Sequence, residues 1–322
     1  MSNFQLLASL FLSIISFISV SILTPIIIWV SFQKRLVTPV NKRSSHKSST
    51  PPFGGVAFYI IFIVLISFIQ VILNESIGYN IIAATSILFM IGLKDDLVHS
   101  SAKVKLAGQV AAGLIVVHSA NFRISFHGFF DNFTIHPLIS ILASVCLLIL
   151  IINAYNLIDG IDGLAAMIGI VASSTYAWLF FTNNDLFFFL LSIITIGVLT
   201  AFLRFNLSKK NNKIFMGDCG SLTIGLIIGL LTLRFLAATS SQIPYLLNIE
   251  KKILFTTAVL FVPFLDTFRI IVIRIMKRQS PFKADKNHLH HVLLNYGLSH
   301  VQASLLLTSA QVSVLTLFYL LL

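Results

Sequence analysis

From Pro137 to Ile152 the chain carries no charged residue. The run then ends in two amides and two carboxylates, Asn153-Ala-Tyr-Asn156-Leu-Ile-Asp159-Gly-Ile-Asp162-Gly163. A run this apolar belongs in a helix bundle or in lipid, and a carboxylate near hydrocarbon costs roughly 2.5–3.5 kcal/mol even on lenient insertion scales. It needs a reason. The pattern recurs: Asp95 and Asp96 close a second apolar run, Asp218 precedes a third and Asp266 interrupts a fourth. With only 11 acidic residues in 322, acids at these borders point to a held cation or a handled proton.

Apolar residues make up 57% of the chain and charged ones 10%, with a mean hydropathy of +0.95. That composition excludes a soluble domain with a tail and implies an all-α, polytopic membrane helix bundle. Helices of one bundle share a core, so residues 1–322 are read as a single domain with about ten transmembrane helices. The expected spans are Phe4–Phe32, Phe53–Leu73, Ile77–Leu93, Val104–His118, Pro137–Tyr155, Leu164–Phe181, Leu186–Phe202, Leu222–Ala238, Ile253–Ile275 and Val301–Leu322. Several fall short of the ~20 residues needed to cross unaided, and the one from Val104 is the weakest. The first run is too long for a signal peptide and has no basic leader or small-residue cleavage site.

Lysine and arginine set the expected orientation. Alternate loops hold 17 of the 22 basic residues, including Lys42, Lys105, Lys209 and Lys283, against three (Arg123, Lys251 and Lys252) in the opposite loops. The basic side is read as cytoplasmic, with both termini outside. Asp95, Asp96, Asp159, Asp162, Asp218 and Asp285 share that side, although the rule leaves acids unbiased. An active-site cleft on the cytoplasmic side is therefore expected. The net charge of +11, gathered on one face, suits anionic lipid headgroups or an anionic substrate. Nucleic acid is not expected, because the basic loops are short and lack interleaved aromatics. Cys146 and Cys219 have no metal spacing and read as small packing residues.

Five constellations carry the chemistry. Adjacent Asp95 and Asp96 repel, so both stay ionised only beside a cation or strong donor, although a solvated helix-end pair accounts for them equally well. Asn153 and Asn156 share a helix face at i and i+3. The glycines after Asp159 and Asp162 allow close approach to a ligand, and a plain turn does not explain the ordered repeat. Phe215-Met-Gly-Asp218-Cys-Gly-Ser precedes a helix. Asp218 is expected to cap it, or to supply a hard oxygen ligand while the helix N-terminus attracts phosphate. Arg43-x-x-His46, followed by Thr-Pro-Pro-Phe-Gly-Gly, is basic, then rigid, then glycine-rich, and makes Arg43 and His46 substrate-binding candidates. Ser280-Pro-Phe-Lys-Ala-Asp-Lys-Asn-His288-Leu-His290-His291 lacks partners for zinc and reads as a diphosphate-engaging loop. No Walker loop or G-x-G-x-x-G is present.

In this order the five motifs resemble the polyprenyl-phosphate N-acetylhexosamine-1-phosphate transferases, over nearly the whole chain from Arg43 to His291. The resemblance implies a ten- or eleven-helix bundle. It also implies Mg²⁺-dependent transfer of a sugar-1-phosphate from a UDP-N-acetylhexosamine to undecaprenyl phosphate, releasing UMP. Mn²⁺ is expected to substitute. By resemblance Asp218 is the metal ligand, and Asp95 and Asp96 sit beside the lipid phosphate, one of them a candidate base. Asn153, Asn156, Asp159 and Asp162 fall in the motif that shapes the nucleotide pocket, while Asn206 and Phe215 match a uracil contact and a stacking ring. Arg274 and the catalytic candidates His288, His290 and His291 resemble an arm on the diphosphate or sugar. Ser-Pro-Phe followed by His-x-His-His is similar to the N-acetylglucosamine branch, which primes O-antigen (lipopolysaccharide), common-antigen or teichoic-acid chains. The muramoyl-pentapeptide branch, with Pro-Leu-His-His-His, and a cation-coupled transporter are the alternatives. The implied setting is the bacterial cytoplasmic membrane with its lipids as partners, and a homodimer is left open.

Overall fold

In hydrocarbon every backbone N–H and C=O must be bonded within the protein, so apolar runs of this length fold as helices. The structure, a computed structural model, describes residues 3–37, 50–125, 136–209, 212–238, 249–279 and 288–321. Among these the helices are α1 Asn3–Gln33, α2 Gly54–Leu73, α3 Ile77–Leu97, α4 Ala102–His118, α5 Pro137–Ile158, α6 Leu164–Thr182, α7 Leu186–Asn206 and α8 Gly217–Ala237. They continue with α9 Ile249–Val259, α10 Phe261–Met276, α11 Leu289–Asn295 and α12 His300–Leu321. Eight are long and apolar enough to cross a membrane: α1, α2, α3, α5, α6, α7, α8 and α12.

Helix α8 is the axis of the bundle. In its most apolar stretch 94% of residues are buried, against 17% in α1 and in α12, which lie at the periphery. Helices α2, α3 and α5 pack directly on α8, and α6, α7 and α1 build outward from them. Glycines let the backbones touch. A Cβ on Gly55 of α2 would run into the backbone of Gly220, and one on Gly92 of α3 would sit 2.5 Å from the Cys219 Cα. The segments leading into α2 and α8 also pair through their backbones: Phe215 N donates to Pro51 O at 2.9 Å, and Gly54 N to Phe215 O at 3.0 Å. Gly217, at φ +72°, turns the chain into α8 against the Pro52 carbonyl.

Two expected spans differ from the reading above. Helix α4 is 17 residues long and falls short of an unaided crossing. The span expected at Ile253–Ile275 is two helices, α9 and α10, broken at Leu260. Proline explains the break, since Pro263 has no N–H to give the Val259 carbonyl four residues back. Gln311 of α12, fully buried, fills the gap. Its amide nitrogen donates to Val259 O and, at 2.9 Å, to Ala258 O, while its oxygen accepts from Val262 N at 2.9 Å. Elsewhere the helices outrun the expected spans. Asp95 and Asp96 lie in the last turn of α3, Asn206 ends α7, and Asp218 lies in the first turn of α8.

The glycine contacts make a stability test. A methyl at Gly55 meets backbone, whereas one at Gly113 meets side chains only, the nearest being Val145 at 3.2 Å. Overpacking costs about 1–3 kcal/mol and more where backbone must shift. Gly55→Ala is expected to lower the thermal midpoint in detergent well below that of Gly113→Ala. Equal midpoints would mean that α2 and α8 do not approach this closely.

Candidate active site

The α3 and α5 C-termini meet the α4 and α8 N-termini at one end of the bundle, and the acids converge there. Lys105 of α4 stands between two of them: its Nζ lies 2.8 Å from Asp95 Oδ2 and also bonds Asp218 Oδ2. Asp95 Oδ1 accepts from Ser100 N at 2.6 Å. Asp218 Oδ1 accepts from the Asn156 amide at 2.9 Å, and that amide also donates to Ser221 Oγ at 2.7 Å. Three helices thus fix the direction of one carboxylate.

Asp96 does something different from its neighbour. Its two oxygens accept from Asp218 N at 2.8 Å and Cys219 N at 2.9 Å, so a carboxylate from α3 closes the N-terminus of α8. This corrects two expectations. Asp218 does not cap its own helix, and the phosphate position expected at that N-terminus is already filled by a side-chain anion. With both oxygens committed, Asp96 positions α8, and Asp95 is the member of the pair beside Lys105.

Asp159 follows α5, half-buried, with no hydrogen bond to its side chain among the described residues. Burial holds its carboxyl well above the ordinary carboxylate range, and the charges of Asp218, Asp96 and Asp162 push the same way. Among the described residues, four carboxylates therefore share this corner with one ammonium, Lys105. No three His, Cys, Asp or Glu side chains among the described residues form a complete metal cage.

The rest of the acid loop is tied from below. Gly163, at φ +84°, donates its N–H to Asn206 Oδ1 at 2.6 Å, and Asn206 Nδ2 donates to Ile214 O at 3.0 Å. Asn206 is buried and both ends of its amide hold backbone, so it buckles two loops together rather than facing a base as expected. Asp162 pairs with Lys213 at 2.5 Å and with His300 Nδ1 at 3.3 Å. The Lys213 ammonium also lies 5.5 Å from the centre of the half-buried Phe215 ring. Asn153 is bonded elsewhere: its amide and that of buried Gln109 exchange hydrogen bonds of 2.8 and 3.2 Å, joining α5 to α4. It ties α5 to α4 one turn from Lys105.

The histidines form a third group. His288 Nδ1 lies 2.8 Å from Asp266 Oδ2, and the His288 and His290 rings stack at 5.6 Å with 7° between planes. His290 covers Gly160 so closely that a Cβ there would strike its ring. His291 tilts against His290 at 4.3 Å. Burial, then the neighbouring His291 and His288, pull His290 down to about 4, so it is neutral and acts as packing. Arg274 is buried on the same stripe of α10 as Asp266 and Ile270. Arg43, His46 and Asp285 lie outside the described residues.

A cavity of about 360 Å³ at the opposite end is lined by Glu75, Asp185 and Arg234 among others. Arg234 is neutralised by Asp185 at 2.7 Å, so among the described residues that cavity offers an anion no free cation.

Residues 79–236, from α3 through α8, match the family model described as Glycosyl transferase family 4. The chain is 32% identical over 296 residues to the probable undecaprenyl-phosphate N-acetylglucosaminyl 1-phosphate transferase of Bacillus subtilis, covering 89% of this chain and 77% of that protein. It is 33% identical over 288 residues to the decaprenyl-phosphate N-acetylglucosaminephosphotransferase of Mycolicibacterium smegmatis, covering 83% and 70%. The chain belongs to glycosyl transferase family 4. The undecaprenyl-phosphate alpha-N-acetylglucosaminyl 1-phosphate transferase of Escherichia coli K12 is similar at 24% identity over 280 residues, covering 85% and 73%. The family 4 match contains Asp95, Asn156, Asp159, Asp162 and Asp218, whereas Asp266, His288, His290 and His291 lie beyond it.

The sequence reading missed Lys105, Gln109, Lys213 and the partner of Asp266. In sequence Lys105 reads as one more positive-inside residue, although Lys105 and Gln109 at i and i+4 mark a polar stripe on α4. Nothing local marks Lys213 as a partner of Asp162.

Capping and crowding predict opposite stabilities. Asp96→Ala strands two N–H groups of α8, at roughly 1–3 kcal/mol for each buried group left unbonded, and is expected to lower the thermal midpoint. Asp159→Asn removes a charge the folded state disfavours and is expected to raise the midpoint of the metal-free protein at neutral pH. A carboxyl raised in the fold costs stability only above its unfolded range near 3.8, so that gain should fade as pH falls toward 4. A lower midpoint for Asp159→Asn at pH 7 would contradict the crowding.

Proposed function

We propose that this chain transfers N-acetylglucosamine-1-phosphate from its UDP-linked donor to undecaprenyl phosphate, releasing UMP and starting a cell-surface glycan. The observation that carries the reading is the Asp95–Lys105–Asp218 bridge at the axis helix, with Asp159 beside it. In the reaction an oxygen of the lipid phosphate attacks the sugar-bearing phosphorus, the new P–O–P link forms, and the P–O bond to UMP breaks. Anion meets anion, so the site must supply positive charge and hold both phosphates in line.

Mg²⁺, or Mn²⁺ in its place, fits the residues present. Among the described residues carboxylates outnumber the one ammonium, and Mg²⁺ takes one or two carboxylates with phosphate oxygens and water rather than a full protein cage. Asp218 would hold it, with Asp95 or Asp159 as second carboxylate, and when bound it would neutralise charge on the diphosphate. The rest falls to the chain's own groups. Asn156 keeps Asp218 aimed, and Asp96 keeps the first turn of α8 in place. Lys105, once relieved of one carboxylate, has donors for a phosphate oxygen. The Phe215 ring, with Lys213 near its face, offers a surface on which uracil would stack. The lipid phosphate is already ionised near neutrality, so positioning matters more than proton removal, in keeping with an Asp95 oxygen committed to Lys105.

The setting we propose is the bacterial cytoplasmic membrane with the acid cluster facing the cytoplasm. The support is the concentration of basic residues in loops at that end. The N-acetylglucosamine assignment draws on the names of the relatives and on Ser-Pro-Phe with His-x-His-His.

Detergent-purified protein given undecaprenyl phosphate, Mg²⁺ and UDP-N-acetylglucosamine is expected to release UMP and form a lipid-linked product. UDP-N-acetylmuramoyl-pentapeptide should be inert. Asp218→Asn should reduce turnover by roughly a hundredfold or more and flatten the Mg²⁺ dependence, since a neutral amide is a poor ligand for a hard dication. Near-wild-type turnover in Asp218→Asn at matched protein would remove the metal assignment, and preference for the muramoyl donor would remove the sugar.

A further inference from the structure

Asp266 lies outside the acid cluster, and neither the charge balance there nor the family match touches it. It is 2% exposed in a helix whose outer face is apolar, where Phe268 and Met276 are open. A carboxylate so placed is tolerated only with its oxygens satisfied. Both are. Oδ2 meets His288 Nδ1 at 2.8 Å, and Oδ1 accepts from Leu289 N at 2.7 Å. One carboxylate thus holds the ring of His288 and the first N–H of α11.

The pairing fixes which nitrogen carries hydrogen. A carboxylate has no proton to give, so Nδ1 is the donor, and Nε2, with no partner among the described residues, is the atom left for a ligand. Ring orientation is set as well. His288 stacks in parallel on His290, and His290 in turn rests on Gly160, between Asp159 and Asp162. Since burial keeps His290 neutral, it adds no repulsion at that contact and serves as a spacer of fixed thickness. An unbroken set of contacts therefore runs from Asp266 through two imidazoles to the acid loop.

We infer that Asp266 is a positioning residue for the transfer reaction, holding His288 in the Nδ1–H form and presenting its Nε2 toward the donor's diphosphate or sugar. This rests on the transferase reading. A carboxylate needed only to anchor α11 could satisfy its second oxygen with any hydroxyl or amide donor, whereas an imidazole brings a second ring nitrogen able to meet a ligand. Replacing Asp266 by Asn keeps the shape and an acceptor for Leu289 N, but turns an N–H donor toward Nδ1 and so favours the opposite ring form.

The test is a double-mutant cycle together with a direct view of the ring. Turnover at saturating UDP-N-acetylglucosamine and undecaprenyl phosphate is measured for wild type, Asp266→Asn, His288→Ala and the double variant. Asp266→Asn should lower kcat by roughly tenfold to a hundredfold, as loss of an orienting partner of a functional histidine does. His288→Ala should cost at least as much, and the double variant should be no slower than His288→Ala alone, because Asn keeps the acceptor for Leu289 N and the carboxylate otherwise acts through that ring. Wild-type turnover in Asp266→Asn, or losses that multiply in the double variant, would overturn the inference. ¹⁵N spectra of histidine-labelled protein in detergent, with His288 assigned by its absence in His288→Asn, read the ring without any variant at Asp266. Hydrogen on Nδ1 is expected in the wild type, and a bare Nδ1 with hydrogen on Nε2 alone would overturn the inference even if Asp266→Asn failed to fold. Absence of any transfer by wild type would defeat the functional reading while leaving the ring result standing.

Discussion

The first turn of α8 is the point on which the rest of the molecule depends. A helix starting inside a bundle exposes N–H groups that water cannot reach, and here the Asp96 carboxylate of α3 satisfies two of them. The reach is short because Gly92 lets α3 lie against the backbone of Cys219, as Gly55 lets α2 lie against Gly220. With the helix end neutralised from outside, Asp218 is free of capping duty. Its carboxylate turns to Lys105 and Asn156 instead. Had Asp218 capped its own helix, the axis helix would have been just as stable and the cluster would have lost its central oxygen pair.

The same economy recurs wherever a polar group is buried. Gln311 lends its amide to the backbone break that Pro263 imposes, so α9 and α10 change direction without a bare carbonyl in the apolar interior. Asn206 serves two loops in the same manner, and Gln109 and Asn153 satisfy one another. These amides hold segments that a hydrophobic contact alone would leave free to slide. They frame a site whose carboxylates exceed its cations among the described residues. A crowded set of like charges costs stability when nothing is bound, and a divalent ion or a phosphate–cation pair would relieve that cost.

Much of this was legible beforehand. Long apolar runs and scarce acids gave the helical bundle, and the positions of Asp95, Asp159 and Asp218 at the ends of those runs placed them together, because helix ends on one side of a membrane share a plane. Three assignments were not legible. Asp96 and Asp95 are neighbours in sequence with equal chemistry, and only the docking of α3 on α8 gives one a backbone to cap and the other a lysine. Asn206 and Asn153 sit in motif positions that suggest a ligand, yet both are spent on the protein's own groups. Asp266 stood out as an isolated acid, but its partner lies 22 residues away across a loop.

What the sequence determined by itself was the medium, the helical class and the end of the bundle at which charge collects, since each follows from hydrocarbon's intolerance of unpaired polar groups and charges. What only the tertiary structure decided was the partner of each polar side chain. A carboxylate's role depends on which N–H, ammonium or imidazole comes within about 3 Å of it. Those distances are set by helix packing between residues as far apart as Asp96 and Asp218, which no local pattern encodes.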